Sequence, residues 1–220
     1  MAETLEVRGI ILENLPQGEY GRRLRMLTDR LGKITVFASG AARQNSRLIG
    51  ALRPMSCGSF SLSRGRNAYN IREAKLMDSF EEIAMDPDAY YYAAYLMELV
   101  SWFSDEGMDE PEAKKLLNLL YVGFAALRER ALPLSLIRRI FELRTLVIQG
   151  EYTEDAPYGD TEACRTLWQR SVSAPLSALF RVEDIAPLKD GYEDFEASAA
   201  GLMRRQVEHS FRSLQILQAL

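Results

Sequence analysis

The chain has 220 residues, of which 47% are hydrophobic and 26% are charged, so its composition is that of a globular protein and excludes a disordered one. The net charge of −4 combines a basic part and an acidic part. Residues 1–80 carry 13 Lys/Arg against 7 Asp/Glu, whereas residues 81–220 carry 14 Lys/Arg against 24 Asp/Glu. No apolar run approaches the roughly 18–20 residues that span a bilayer, which excludes a membrane segment. The acidic start of the chain lacks the residue pattern of a signal peptide, so we expect a cytoplasmic protein whose basic front half meets a polyanion.

Alternating hydrophobicity predicts three strands in the first forty residues. The first covers Leu5 to Leu15, the second runs to Thr28 through Leu24 and Met26, and the third carries Ile34, Val36 and Ala38. A short helix is expected over residues 41–52, because Leu48, Ile49 and Leu52 have helical spacing and Pro54 follows. Two more strands, 55–64 and 69–77, flank a tight turn at 64–67.

Three strands, a helix and two strands within about eighty residues is the order that a five-stranded Greek-key barrel of the OB type requires. Another small barrel or a half-open sheet is the alternative. From Phe80 onward the hydrophobic period becomes about 3.6, which predicts helices. They begin near Pro87, Pro111 and Pro133, the third ends before Gly150, an acidic connection covers residues 151–160, and a last helix runs from Tyr192 to Leu220. We therefore predict an α+β protein with a barrel domain at 1–79 and an all-α domain at 80–220.

Groups that could perform bond chemistry are few. His209 is the single histidine, and Cys57 and Cys164 lie 107 positions apart, so neither a metal site, a nucleophile pair nor a disulfide framework is indicated. No GxxxxGK[ST] loop occurs. We expect no catalytic residue, no cofactor and no metal, with both thiols reduced and structural.

The front half is instead rich in arginine, whose guanidinium pairs with phosphate and stacks on bases. The candidate DNA-binding cations are Arg22, Arg23, Arg25, Lys33, Arg43, Arg47, Arg64 and Arg66, and the candidate stacking rings are Tyr20, Phe37, Phe60 and Tyr69. Strand alternation places Arg23, Arg25 and Lys33 on the outer side of the barrel. A basic groove with stacking rings is the general arrangement for binding single strands. For Phe37 and Phe60, the alternative is packing against the helical domain.

Several short runs, in order and spacing, resemble the bacterial recombination mediator RecO. They are Gly18–Tyr20, Leu31–Lys33, Phe37–Arg43, Ser46–Leu48, Leu52–Ser56, Arg72–Ala74, Tyr92–Leu99 and Arg139–Arg144. The resemblance covers residues 5–150 and is weakest over 150–220. It implies an OB-fold front domain, a helical back domain and no bond chemistry.

The RecO resemblance also implies binding of single- and double-stranded DNA and annealing of complementary strands. It further implies RecA loading together with RecR, and contact between the helical half and the tail of single-strand-binding protein. Arg43 and Arg47 occupy basic positions of the family's motifs. Many relatives carry four zinc-binding cysteines after the third helix, but this chain has Cys164 alone there, so no zinc is expected.

Two other classes of function stay open. One is an OB-fold adaptor that binds RNA or protein. The other is a metal-dependent nuclease, although Glu73 and Asp78 are the only acids between residues 41 and 80.

Overall fold

The computed structural model describes residues 4–43, 48, 50–66, 68–159 and 161–219. It divides into two compact units, one of Met1–Glu81 with Val100–Leu117 and one of Glu82–Leu99 with Asn118–Leu220. The first unit holds all five strands, and the second holds most of the helical residues. The domain boundary placed at residue 80 from the sequence stays a prediction, and the first unit also takes in Val100–Leu117.

Five strands form a closed barrel in the order β1-β2-β3-β5-β4, which confirms the predicted α+β class with a five-stranded front domain. The strands are β1 Thr4–Gln17, β2 Gly21–Thr28, β3 Gly32–Ala38, β4 Cys57–Arg64 and β5 Tyr69–Asp78. β1 pairs with β4 through its first half and with β2 through its second, and a register shift between Ile11 and Glu13 bends it. A short parallel pairing of Val36 and Phe37 with Tyr69 and Asn70 completes the ring.

The alternation of side chains along each strand determines which residues fill the barrel. Leu24 and Met26 of β2 face Ile34 and Val36 of β3, and all four are buried. The same core includes Val7, Ile11, Ala38, Ala41, Leu52, Phe60, Leu62, Tyr69 and Ile71. Because inner positions alternate with outer ones, the polar residues between them are left on the outside of the sheet.

The connection between β3 and β4 differs from the predicted helix over 41–52. Ala41 and Ala42 form a turn, Arg43 a bend, and Gly50–Leu52 a single 3-10 turn. Residues 44–47 and 49, on which much of that prediction fell, lie outside the described residues. Leu52 is buried in the barrel core and Leu48 packs against the same core, so burial accounts for the apolar character of both residues.

A loop within Val100–Leu117 packs on the β2–β3 turn of the same unit. The amide of Gly107 donates to Leu31 O at 3.2 Å, and Gly32 bridges to Glu106. Gly32 has a φ of +67°, and a Cβ there would lie 2.1 Å from Asp105 O. Only glycine fits this position, because both the backbone angle and the close approach exclude a side chain.

Eight α-helices occur among the described residues. They are α1 Glu81–Ala84, α2 Pro87–Trp102, α3 Glu110–Glu129, α4 Leu134–Gln149, α5 Glu162–Ser173, α6 Val182–Ile185, α7 Tyr192–Gln206 and α8 Arg212–Ala219. Asp86, immediately before α2, accepts a hydrogen bond from the amide of Ala89 and so caps the start of this helix. Gly150 ends α4 with a φ of 76°. None of these helices is both long and apolar enough to cross a membrane.

In the second unit α4 packs against α5 and α7. Gly123 of α3 allows close approach, because a Cβ there would lie 2.9 Å from the Phe141 ring and 3.1 Å from Leu96. The predicted last helix from Tyr192 to Leu220 is wrong in its continuity. The chain is extended at Val207 and starts a new helix at Arg212, which lets Phe211 become buried against Tyr95. Both cysteines are buried free thiols, and burial raises the pKa of Cys57 to about 11.

Candidate nucleic-acid interface

The outer side of β2 and β3 carries the first group of predicted site residues. Cross-strand register pairs Arg23 with Phe37 and Arg25 with Thr35. Both arginines are exposed and Phe37 is half-buried, so a guanidinium and an aromatic ring lie side by side on the surface. We call Arg23, Arg25, Thr35 and Phe37 the β2–β3 face. Its position agrees with the strands that OB-folds use to bind oligonucleotides.

Lys33 lies at the other end of the same strands and is engaged within the first unit. Its amine donates to the carbonyl of Ser101 and lies 4.0 Å from Asp105. Burial lowers the pKa of Lys33, the charge of Asp105 opposes that shift, and Arg25 adds to it. The sequence could not reveal this, because Ser101 and Asp105 are about seventy positions away. Lys33 therefore lies at the far end of the β2–β3 face. Because it is engaged by Ser101 and Asp105, it adds little positive charge to that face.

Tyr20 and Arg43 form a corner next to the β2–β3 face. The Arg43 guanidinium lies over the Tyr20 ring at 5.7 Å from its centroid, and the amide of Ala42 donates to Tyr20 O at 3.0 Å. Tyr20 is 46% exposed and sits in the β1–β2 turn after Gly18, whose φ of +64° makes the turn possible. This corner presents both a ring and a charge to solvent.

Arg64 and Arg66 are exposed at the β4–β5 turn. Register links this turn to the β2–β3 face, since Arg64 pairs with Tyr69, Tyr69 with Val36, and Val36 with Leu24. The turn is tight, with the amide of Gly65 donating to Ala68 O at 2.8 Å. The β1–β2 and β4–β5 turns therefore lie at the same end of the barrel as Arg23 and Phe37.

The cations of the barrel differ in how much of their charge is already neutralised. Arg8, Arg30 and Arg53 pair with Asp29, Glu110 and Glu81 at 3.2, 3.7 and 2.6 Å, and Arg25 lies 3.9 Å from Glu13. Within the described part of the chain, no carboxylate lies within ion-pair distance of Arg22, Arg23, Arg43, Arg64 or Arg66. Those five positive charges are available to an anion from outside.

Two of the four predicted stacking rings are not on the surface. Phe60 is 1% exposed and Tyr69 is 7% exposed, and both belong to the barrel core. The base-stacking prediction for these two residues is therefore wrong, because alternation along β4 and β5 turns them inward with Leu62 and Ile71. Tyr20 and Phe37 keep accessible rings.

Arg22 lies apart from the other arginines of β2. Arg22 pairs with Pro16 and Ala38, on the opposite side of the strand from Arg23 and Arg25, so it lies at the mouth of the barrel. Arg47 lies outside the described residues.

Asn70 and Arg72 of β5 were missed by the sequence reasoning. Asn70 pairs with Phe37 on the outer side, and the exposed Arg72 donates through Nε to Ser63 Oγ at 2.9 Å. Alternation with the buried Tyr69 and Ile71 was the signal that could have found them.

Comparison with known proteins assigns the family. Residues 1–80 match the family model described as the recombination protein O N-terminal domain. The protein named DNA repair protein RecO of Alkaliphilus metalliredigens is 32% identical over 146 residues, and that of Desulforudis audaxviator is 35% identical over 145. These matches place residues 1–80 in the RecO N-terminal domain family, and the chain is similar to RecO proteins over about two thirds of its own length. The matched RecO domain spans all five strands and every predicted cation and ring.

The similarity to RecO proteins covers part of each chain. In both relatives the aligned segment is 66% of this chain, and it is 58% and 56% of the respective RecO proteins. A third relative, from Clostridium perfringens, is 30% identical over 147 residues, with the same 58% of its length. The chain thus spans somewhat over half the length of the RecO proteins it matches.

Proposed function

We propose that the chain is a non-catalytic recombination mediator of the RecO type, which binds single- and double-stranded DNA on the β2–β3 face and the two turns beside it. The observation that carries the proposal is the set of arginines without described carboxylate partners, gathered with Tyr20 and Phe37 at one end of the barrel. Fixed cations that the protein does not neutralise itself attract phosphates, and rings beside them accept stacked bases.

Annealing follows from the same electrostatics. Arg23, Arg43, Arg64 and Arg66 neutralise phosphates and release the counterions that had condensed on them. Two strands held on one positive surface repel each other less, so complementary bases meet more often. The protein breaks no bond in this scheme, and guanidinium groups stay charged at any physiological pH.

The helical unit is the proposed site for protein partners, which by family resemblance are RecR, for loading RecA, and the tail of single-strand-binding protein. A groove of about 150 Å³ is lined by Met203, Phe211 and Leu214 together with the exposed Arg204, and also by Arg139 and Glu142, which pair with each other. Apolar walls with positive charge at the rim suit a tail that is both acidic and apolar. This groove is our candidate for the tail.

The salt dependence of DNA affinity tests the DNA surface. We expect the double variant Arg23→Gln/Arg43→Gln to lower the slope of log affinity against log salt by about 1.4 for single strands and about 1.8 for duplex, because each lost phosphate contact removes about 0.7 or 0.9. Fluorescence anisotropy with a labelled oligonucleotide at several salt concentrations measures the slope.

The matched control is Arg8→Gln/Arg30→Gln, which removes the same charge from arginines that are already paired with Asp29 and Glu110. Its slope should stay within about 0.5 of the unmodified protein, since those side chains bind carboxylates of their own chain. Equal loss of slope in both double variants would mean that only the net charge matters, and the proposed surface would be wrong.

An annealing assay on strands precoated with single-strand-binding protein separates the proposal from the other two classes. Acceleration is expected for a mediator and for neither alternative. An adaptor would prefer RNA or protein in competition with single-stranded DNA, and a nuclease would release fragments from labelled DNA with magnesium or manganese.

A further inference from the structure

The mouth of the barrel contains a cavity of about 220 Å³, distinct from the β2–β3 face. It is lined by Asn14 and Arg22 from β1 and β2 and by Ala41, Ala42, Leu52 and Arg53 from the β3–β4 connection. The volume is below the roughly 300–1,000 Å³ of pockets for whole small-molecule ligands, so a single ring-sized group fits it better. Mouths of β-barrels are common ligand sites.

The polar groups of the cavity are one acceptor and two donors. Asn14 donates through Nδ2 to Leu52 O at 2.7 Å, which fixes the orientation of its amide. Its Oδ1 is buried and has no hydrogen-bond partner among the described residues. Arg53 is held by Glu81 at 2.6 Å, whereas Arg22 has no carboxylate of the described chain within ion-pair distance. A buried polar atom without a partner usually has a functional or solvent explanation.

This pattern discriminates between ligands. A phosphate offers only acceptors, so its oxygens would be repelled by Asn14 Oδ1, although Arg22 would attract them. A nucleobase edge offers an N–H donor next to a carbonyl oxygen or ring nitrogen, which matches the carbonyl of Asn14 beside the guanidinium of Arg22. Ala41, Ala42 and Leu52 provide the apolar walls that the flat faces of a base require.

The cavity lies beside the proposed DNA surface. Its wall residue Ala42 donates its amide to Tyr20 O, and Tyr20 carries the Arg43 guanidinium on its ring. A strand that stacks on Tyr20 is therefore close to the cavity. Arg22 and Arg23 lie next to each other at the start of β2 but on opposite sides of it, so a DNA strand that bends around this end of the barrel can contact both.

We propose that this cavity takes one unstacked nucleobase of a bound single strand, with Arg22 donating to its acceptor and Asn14 Oδ1 accepting from its N–H. The inference rests on the proposed DNA-binding function and adds a base-recognition site to it. Holding a base out of the stack keeps a strand unpaired until a complement arrives, and it favours single strands over duplex, whose bases are already paired.

The test compares an oligothymidylate with an abasic oligonucleotide of the same length, which has the same phosphates and no bases. The key variant is Ala42→Leu, which fills the cavity while its backbone bond to Tyr20 stays in place. We expect Ala42→Leu to lower affinity for oligothymidylate by about fivefold to tenfold, since one base contact is worth about 1–1.4 kcal/mol. Affinity for the abasic strand should change by less than about twofold.

A second variant guards against misfolding of the first. Arg22→Gln should also lose affinity selectively for oligothymidylate, relative to its charge-matched control Arg30→Gln, and thermal melting of each variant checks the fold. Equal weakening of both strands by Ala42→Leu would assign the cavity to phosphate and overturn the base site. No weakening of either would also overturn it, with the DNA surface unaffected. An unmodified protein that fails to bind oligothymidylate would refute both proposals.

Discussion

The exposed arginines at one end of the barrel and the arginines packed within the helical unit have opposite roles. In the barrel, Arg23, Arg43 and Arg64 are exposed and meet no carboxylate of the described chain at ion-pair distance. In the helical unit, Arg139 contacts the buried Glu142 at 2.7 Å and Arg170 contacts Asp184 at 2.8 Å. The same residue type therefore leaves positive charge exposed in one unit and neutralises buried charge in the other.

Several arginines of the helical unit bind buried groups of the same unit. Arg138 and Arg139 both contact Glu142, which also accepts from the Tyr95 hydroxyl at 2.7 Å. Burial and the neighbouring Glu142 raise the pKa of Tyr95 far above its usual value, so it stays a donor. Arg144 donates to the carbonyls of Ser171, Val172 and Ala174 at the end of α5. These charges hold helices together and are not offered to a ligand.

The largest expected effect of a single change lies in the buried cluster. We expect Glu142→Leu to cost about 3–5 kcal/mol of unfolding free energy, because it leaves two half-buried guanidiniums without their shared carboxylate. Urea denaturation followed by circular dichroism measures it. The triple variant with Arg138→Met and Arg139→Met should recover most of the loss, since no buried charge is then left unpaired.

The exposed arginines of the barrel provide the control for this effect on stability. Arg23→Gln/Arg43→Gln should change unfolding free energy by less than about 0.5 kcal/mol while it weakens DNA binding, because exposed side chains add little stability. If that double variant destabilised the barrel as much as Glu142→Leu destabilises the helical unit, the two uses of arginine would not be separate.

Hydrophobic alternation in the sequence was sufficient to predict the strands and the interior of the barrel. It was not sufficient to predict which residues form the candidate binding surface. Alternation placed all five strands within two or three residues and identified Leu24, Met26, Ile34 and Val36 as interior, since each depends only on near neighbours. Alternation along β4 and β5 also holds the information that Phe60 and Tyr69 face inward. Aromatic chemistry alone does not distinguish a core ring from a surface ring, so it does not place these two residues.

Other features depended on contacts that no local pattern contains. Lys33 meets Ser101 and Asp105, which are remote in sequence. The cavity at the barrel mouth combines β1, β2 and the β3–β4 connection, so it appears only once the barrel is closed. The break between α7 and α8 depends on Glu98, more than a hundred positions earlier.

The smallest predicted effect concerns the break between α7 and α8, where the Glu98 carboxylate accepts hydrogen bonds from uncharged donors. Glu98 accepts from the amides of Arg212 and Ser213 at 3.0 and 2.9 Å and from the Ser213 hydroxyl. Burial pushes the pKa of Glu98 upward, but the bonds from Ser213 and Arg212 and the charge of His209 outweigh it, so the pKa lies below its usual value. Its ionised form therefore stabilises the start of α8.

The sign of the pH effect follows from that lowered pKa. A carboxyl whose folded pKa is depressed contributes stability above its unfolded pKa, about 4.3, and loses it as pH falls through the folded value. We expect amide exchange of residues 212–217, corrected for intrinsic rate, to show constant protection from pH 8 to about 5 and declining protection below about 4. Glu98→Gln should reduce protection by roughly threefold and remove the decline, because an amide still accepts one hydrogen bond but does not titrate. A decline that persists in Glu98→Gln would assign it to another group, and the docking of α8 would then not depend on this carboxylate.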